Sequence, residues 1–188
     1  FLAYYWPQVW VGNENSDTGG NLLIDPVGHI AGLGARMDAE YGGPRKSAAG
    51  MRHGFYSVLD VERTSADVEL TDDAGANTLA DSQINTIRVK PNAGVVVWGM
   101  RTFATDLRYQ QVPTSRIVQL CYLTIRAIME PETFEPIDSD GITFARVKAN
   151  LELFLYRLRK DRVFYGDYPG TDPKATDAYR VVCDSSNN

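Results

Sequence analysis

The residues of this 188-residue chain that could do chemistry are two histidines, two cysteines and a few turns rich in glycine or acid. Gly28-His29-Ile30-Ala31-Gly32-Leu33-Gly34 sets glycines near the spacing of a dinucleotide-binding turn, in which bare backbone approaches a pyrophosphate. Met37 stands where the third glycine belongs, no adequate strand precedes the turn, and no strand–helix–strand unit follows. The small residues are read instead as letting a helix pack closely on a neighbour. Gly42-Gly43-Pro44-Arg45-Lys46-Ser47 fails as a phosphate loop, because Arg45 replaces the glycine before lysine and Pro44 removes an N–H donor. Asp138-Ser139-Asp140-Gly141 opens like a calcium loop, but its twelfth position is Ala149 where glutamate is required, so it reads as a turn. His29 and His53 are the candidate general bases, and no Gly-x-Ser-x-Gly nucleophile accompanies either. Asp72 and Asp73 are a carboxylate pair of the kind that does acid–base work, but acids at the positive end of a helix dipole have an ordinary electrostatic explanation. Cys121 and Cys183 lie far apart with no Cys-x-x-Cys, which favours buried free thiols in a reducing cytoplasm over a disulfide or a zinc site. The chain is therefore read as a non-enzyme with no metal and no cofactor. The rival from another class is a small α/β hydrolytic or transferase domain in which His29 or His53 meets a polar nucleophile.

The most informative stretch carries none of these groups. Ile84–Val89 and Val95–Phe103 read as two strands joined by the turn Pro91-Asn92-Ala93-Gly94, in which proline presets one torsion and glycine accepts positive φ. Val95-Val96-Val97-Trp98 is an unbroken apolar run, which predicts burial of both faces and so a scaffold strand.

The remaining elements follow from periodicity and caps. Leu2–Trp6, Val9–Val11 and Leu22–Ile24 are short apolar pieces. Pro26 opens a helix that Gly42-Gly43-Pro44 stops after Tyr41. Phe55–Val61 and Asp67–Leu70 are predicted short strands, and Thr71 caps a short helix to about Ser82. Ser115 is expected to cap a helix to about Glu130, apolar around so much of its girth that it should be largely buried. A second long helix spans Thr143 to about Phe164, with Phe144, Val147, Leu151, Phe154, Leu155 and Leu158 on its core face. Tyr179–Cys183 is predicted as a last strand. The fold class is α+β: a small mixed sheet packed against two long C-terminal helices, with a further helix near the N-terminus.

Composition fits that frame. The hydrophobic share of 44% and charged share of 23% are those of a globular chain, and no apolar run is long enough to span a membrane. The first residues, Phe-Leu-Ala-Tyr-Tyr-Trp-Pro, lack the basic segment and cleavage site of a signal peptide. A net charge of −5 argues against nucleic-acid binding. Its distribution is uneven: seven acids against one base over 60–81, and six bases against two acids over 143–162. Separated patches of opposite sign suit a protein that packs on copies of itself, and equally suit two solvated faces. Arg157, Arg159, Lys160 and Arg162 exceed what a helix C-terminus needs for its dipole and are candidate contacts with an acidic partner.

Several phrases together resemble the tail sheath proteins of contractile phages. In order they are Tyr4-Tyr5-Trp6-Pro7, Pro26–Gly32 with Ala35, Arg36 and Asp38, Ile84-Asn85-Thr86-Ile87-Arg88, and Val97-Trp98-Gly99-Met100-Arg101-Thr102. Phe134-Glu135-Pro136 with Phe144 and Val147, Phe154-Leu155, and Val182-Cys183-Asp184 with Asn187 complete the series. One departure is Tyr-Tyr-Trp-Pro where the family commonly shows Tyr-Tyr-Pro-Trp. The resemblance implies that 1–82 belong to the sheath core and 83–188 to the C-terminal sheath domain. It implies a structural subunit of a virion tail, assembled in the host bacterial cytoplasm. Such a subunit polymerises around an inner tube and contracts to drive it through the host envelope for genome ejection. The implied partners are other sheath subunits, the tube protein, the baseplate and the tail terminator, with no nucleic acid and no membrane. Strands donated by neighbouring subunits would add to a sheet at Val95, Val97, Tyr179, Val181 and Val182. The family's terminal arms are not in the sequence, so this stretch alone is expected not to polymerise. A sheath component of a type VI secretion or other contractile injection machine is the mechanical equivalent.

Overall fold

A computed structural model describes residues 2–17, 19–62, 73–136, 140–166 and 177–184. Among them are two three-stranded sheets and four α-helices, the mixed α+β class expected from the sequence. The chain divides into two compact units, Phe1–Arg116 and Ile117–Asn188.

In the first unit, β1 (Tyr4–Trp6), β5 (Ile84–Lys90) and β6 (Gly94–Trp98) form a mixed sheet in the order β1-β5-β6. β1 runs parallel to β5 with Tyr4 opposite Ile84, and β6 runs antiparallel with Val97 opposite Ile87. The second sheet, β3-β2-β4, is antiparallel and built from β2 (Val9–Gly12), β3 (Asn21–Ile24) and β4 (Val58–Val61). Val9, Val58, Val61, Ile87 and Val95 form one buried cluster drawn from both sheets. Burying side chains of this size contributes about 1.5–3 kcal/mol each. The turn into β6 is as expected, with Asn92 and Gly94 both at positive φ.

Helix α1 (Val27–Tyr41) starts after Pro26 and ends on Gly42, a left-handed cap whose N–H returns to the Asp38 carbonyl. α2 (Asp73–Asp81) is the short helix before β5. The predicted strand 67–70 and the Thr71 cap lie outside the described residues. β4 is shorter than predicted and begins only at Val58.

Helix α3 (Val112–Met129) begins three residues before the expected cap. Ser115 is buried inside its first turn and donates its hydroxyl to the Tyr109 carbonyl, so it braces the preceding turn instead of capping the helix. α4 (Ile142–Lys160) likewise begins before its expected cap, with Gly141 at the N-cap position and Thr143 already helical, and stops four residues before Phe164. The expected deep burial of α3 fails: Val118, Tyr122, Leu123 and Met129 are exposed and Ile125 and Ile128 only half-buried. Periodicity reports which face is apolar, but a face is buried only where another element covers it. Tyr179–Cys183 is irregular, not a strand.

Candidate functional site

The phrase from Val97 to Thr102 forms a polar latch around one buried side chain. Asn85 is 1% exposed in the central strand. Its amide donates to the carbonyls of Tyr4 (3.0 Å) and Arg101 (2.7 Å), and its oxygen accepts from the Arg101 N–H at 2.6 Å. The side chain thus takes over the bonds a neighbouring strand would make, which is why β6 ends at Trp98 although a strand to Phe103 was expected. Gly99 is obligatory there, because a Cβ would lie 2.8 Å from Asn85 Oδ1 and 2.9 Å from its Cα. Beyond it, Thr102 donates its hydroxyl to the Tyr109 carbonyl at 2.6 Å, and Val112 N–H bonds to the Met100 carbonyl at 2.8 Å. These bonds fix the start of α3 on the first sheet. Arg101 Nη1 adds a bond to the Ala80 carbonyl at the end of α2. Asp38 of α1 pairs with Arg116 of α3, a tie that sequence spacing gave no sign of.

The catalytic look-alikes do not converge. His53 is buried edge-on to the Tyr41 ring, with its Nε2 3.4 Å from the Tyr41 hydroxyl. His29 packs edge-on to Phe55 beside a cavity of about 420 Å³ that Ser57 also lines, and no hydrogen bond joins His29 to Ser57. Gly28 and Gly32 face that cavity with open space where a Cβ would project, so the close helix packing expected there is absent; among the glycines of the phrase only Gly34 has a packing neighbour, Arg116. Cys121 and Cys183 are free and half-buried, and burial raises the Cys121 pKa. Burial also raises the Tyr5 pKa, partly offset by Arg116. Among the described residues no cluster of His, Cys, Asp and Glu could hold a metal ion, and no helix is long and apolar enough to cross a membrane.

The candidate contact residues divide. Arg157, Lys160 and Arg162 are exposed at the end of α4, whereas Arg159 is half-buried and bonded to the Gly166 carbonyl. Val95 and Val97 are buried, and their carbonyls already accept from Phe55 N–H and Gly50 N–H, both at 2.9 Å. Tyr179 and Val181 are half-buried and Val182 is exposed.

No protein-family model and no curated protein sequence matches the chain. Solved structures do. A chain of the six-fold symmetrised anti-feeding prophage (AFP) baseplate matches with a TM-score of 0.73 and 28% identity, over 88% of this chain and 41% of that one. A chain of the AFP helical sheath in the contracted state matches at 0.70 and 26%, over 92% and 43%. A chain of the contracted PVC sheath complex, an extracellular contractile injection system, matches at 0.70 over 99% of this chain and 57% of its own. At 20% identity that last likeness shows a shared fold. The chain is thus similar to sheath proteins of contractile injection systems and spans about half the length of these relatives or less.

Proposed function

We propose that this chain is the structural heart of a contractile sheath subunit, which polymerises with its own copies around an inner tube and makes or breaks no covalent bond. The observation that carries the reading is the fold shared with the AFP helical sheath over 92% of the chain. The latch agrees with it, because a subunit that transmits force needs its helices tied to its sheet by oriented bonds. Contraction is then a two-state rearrangement of interfaces. Solved relatives in AFP and PVC assemblies favour an injection machine, and the phrases that resemble phage sheaths keep the virion tail as the second setting. In the phage setting assembly occurs in the host cytoplasm and contraction serves genome ejection.

Baseplate, tail terminator and tube protein belong to this proposal, as does the assignment of 1–82 to the core and 83–188 to the C-terminal domain. The exposed cations Arg157, Lys160 and Arg162 meet an acidic partner surface, and Arg159 holds the turn that follows them. Tyr179, Val181 and Val182 receive donated strands. At Val95 and Val97 a donated strand would have to displace the bonds from Phe55 and Gly50. Sedimentation of the full-length protein tests the reading. Very large, sharply distributed species are expected, and a population that stays monomeric at every concentration contradicts it.

A further inference from the structure

Resting on the sheath reading above, we infer that the groove at the C-terminal end of α3 receives the basic C-terminal end of α4 from a second copy of the chain. The groove measures about 600 Å³ and is lined by Tyr122, Ile125, Met129 and Phe134, with Arg126 and Glu130 also at its wall. Phe134 is fully exposed and its φ is 74°, a left-handed conformation that a bulky side chain rarely adopts. Its neighbours are acidic. Glu132 is neutralised by Arg146, but Glu130 and Glu135 make no ion pair among the described residues. The α3 C-terminus adds negative potential that Arg126 offsets. An apolar floor with a net acidic rim fits a partner that brings an aromatic ring flanked by cations.

The end of α4 has that composition. Lys160 and Arg162 are exposed with no ion pair among the described residues, and Tyr165 is 99% exposed just beyond them. This end cannot fill the groove of its own copy. Arg146 ties the start of α4 to Glu132 beside the groove, and from there to Lys160 the helix rises roughly 21 Å at about 1.5 Å per residue. The two surfaces therefore meet only between copies. A contact in which one patch meets a different patch does not stop at a pair; repeated, it builds a ring or a helical array, the arrangements a sheath requires.

A charge swap in the full-length protein tests this, with assembly read by electron microscopy and sedimentation and folding by the melting temperature. Glu130→Lys with Glu135→Lys is expected to abolish ordered polymer while the fold melts as before, and Lys160→Glu with Arg162→Glu to do the same. The protein carrying all four substitutions is expected to regain polymer. Phe134→Ser, which leaves charge unchanged, is expected to weaken assembly through the groove alone. Normal assembly by the Glu130/Glu135 variant overturns the inference, as does failure of the four-fold variant to recover, since the groove then has another occupant. Absence of polymer from the unaltered protein overturns the sheath reading itself, and this inference with it.

Discussion

Asn85 holds together three segments that lie far apart in sequence. Replacing it with alanine would leave the Tyr4 carbonyl and both backbone groups of Arg101 without their partner. Each buried polar group left unsatisfied costs about 1–3 kcal/mol, so Asn85→Ala is expected to lower the melting temperature by at least several degrees in thermal unfolding. Gly99→Ala is expected to do similar damage by another route, because its Cβ would strike the Asn85 backbone as well as its side chain. An Asn85→Ala protein that melts like the original would show that the latch is ornamental. The phrase containing Gly99 and Arg101 was legible in the sequence, but the role of Asn85 was not. An asparagine inside an apolar strand reads locally as a weakness, since asparagine is depleted in strands. Its value appears only once Tyr4 and Arg101 are brought to it by the fold. Trp98 departs from its expected burial for a related reason: it continues an apolar run, yet it is 37% exposed and carries the Lys90 ammonium 4.5 Å above its ring.

Helix α1 was readable end to end because its stop is chemical, a left-handed glycine that any sequence pattern would flag. Its glycines were not. Gly32 lies in the helix interior with nothing within 4 Å of a built Cβ, so Gly32→Ala is expected to stabilise the chain by about 0.8–1 kcal/mol in chemical denaturation. A loss of stability would mean that this face is packed after all. The long helices show the opposite limit. Their apolar stripes were visible, but whether another element covers a stripe depends on tertiary structure. Leu123 is 62% exposed, and Leu123→Gln is expected to change stability by no more than about 0.5 kcal/mol while lowering self-association. A drop of several kcal/mol would restore α3 to the core. On α4, Arg159→Ala is expected to cost about 1 kcal/mol through its lost bond to Gly166, whereas Lys160→Ala should be nearly silent in the melting of the isolated chain. Equal effects would erase the distinction between a cation that holds its own chain and one that faces outward.

The molecule as a whole joins a tightly bonded first unit to a second in which large apolar side chains, among them Tyr122, Leu123 and Phe134, stay in solvent. Exposed apolar surface on this scale marks an interaction site. The net charge argues against nucleic acid, and the two patches of opposite sign suit self-packing as well as they suit two solvated faces. What the sequence could not show is which surfaces meet, because interfaces between copies leave no periodicity of their own. Helical reconstruction of the full-length protein by electron microscopy tests directly whether many copies build one hollow array. A cylinder is expected in which this fold repeats around an empty or tube-filled axis, every copy touching neighbours through unlike surfaces. Isolated particles, or closed pairs joined through the same surface on each copy, would contradict the sheath reading.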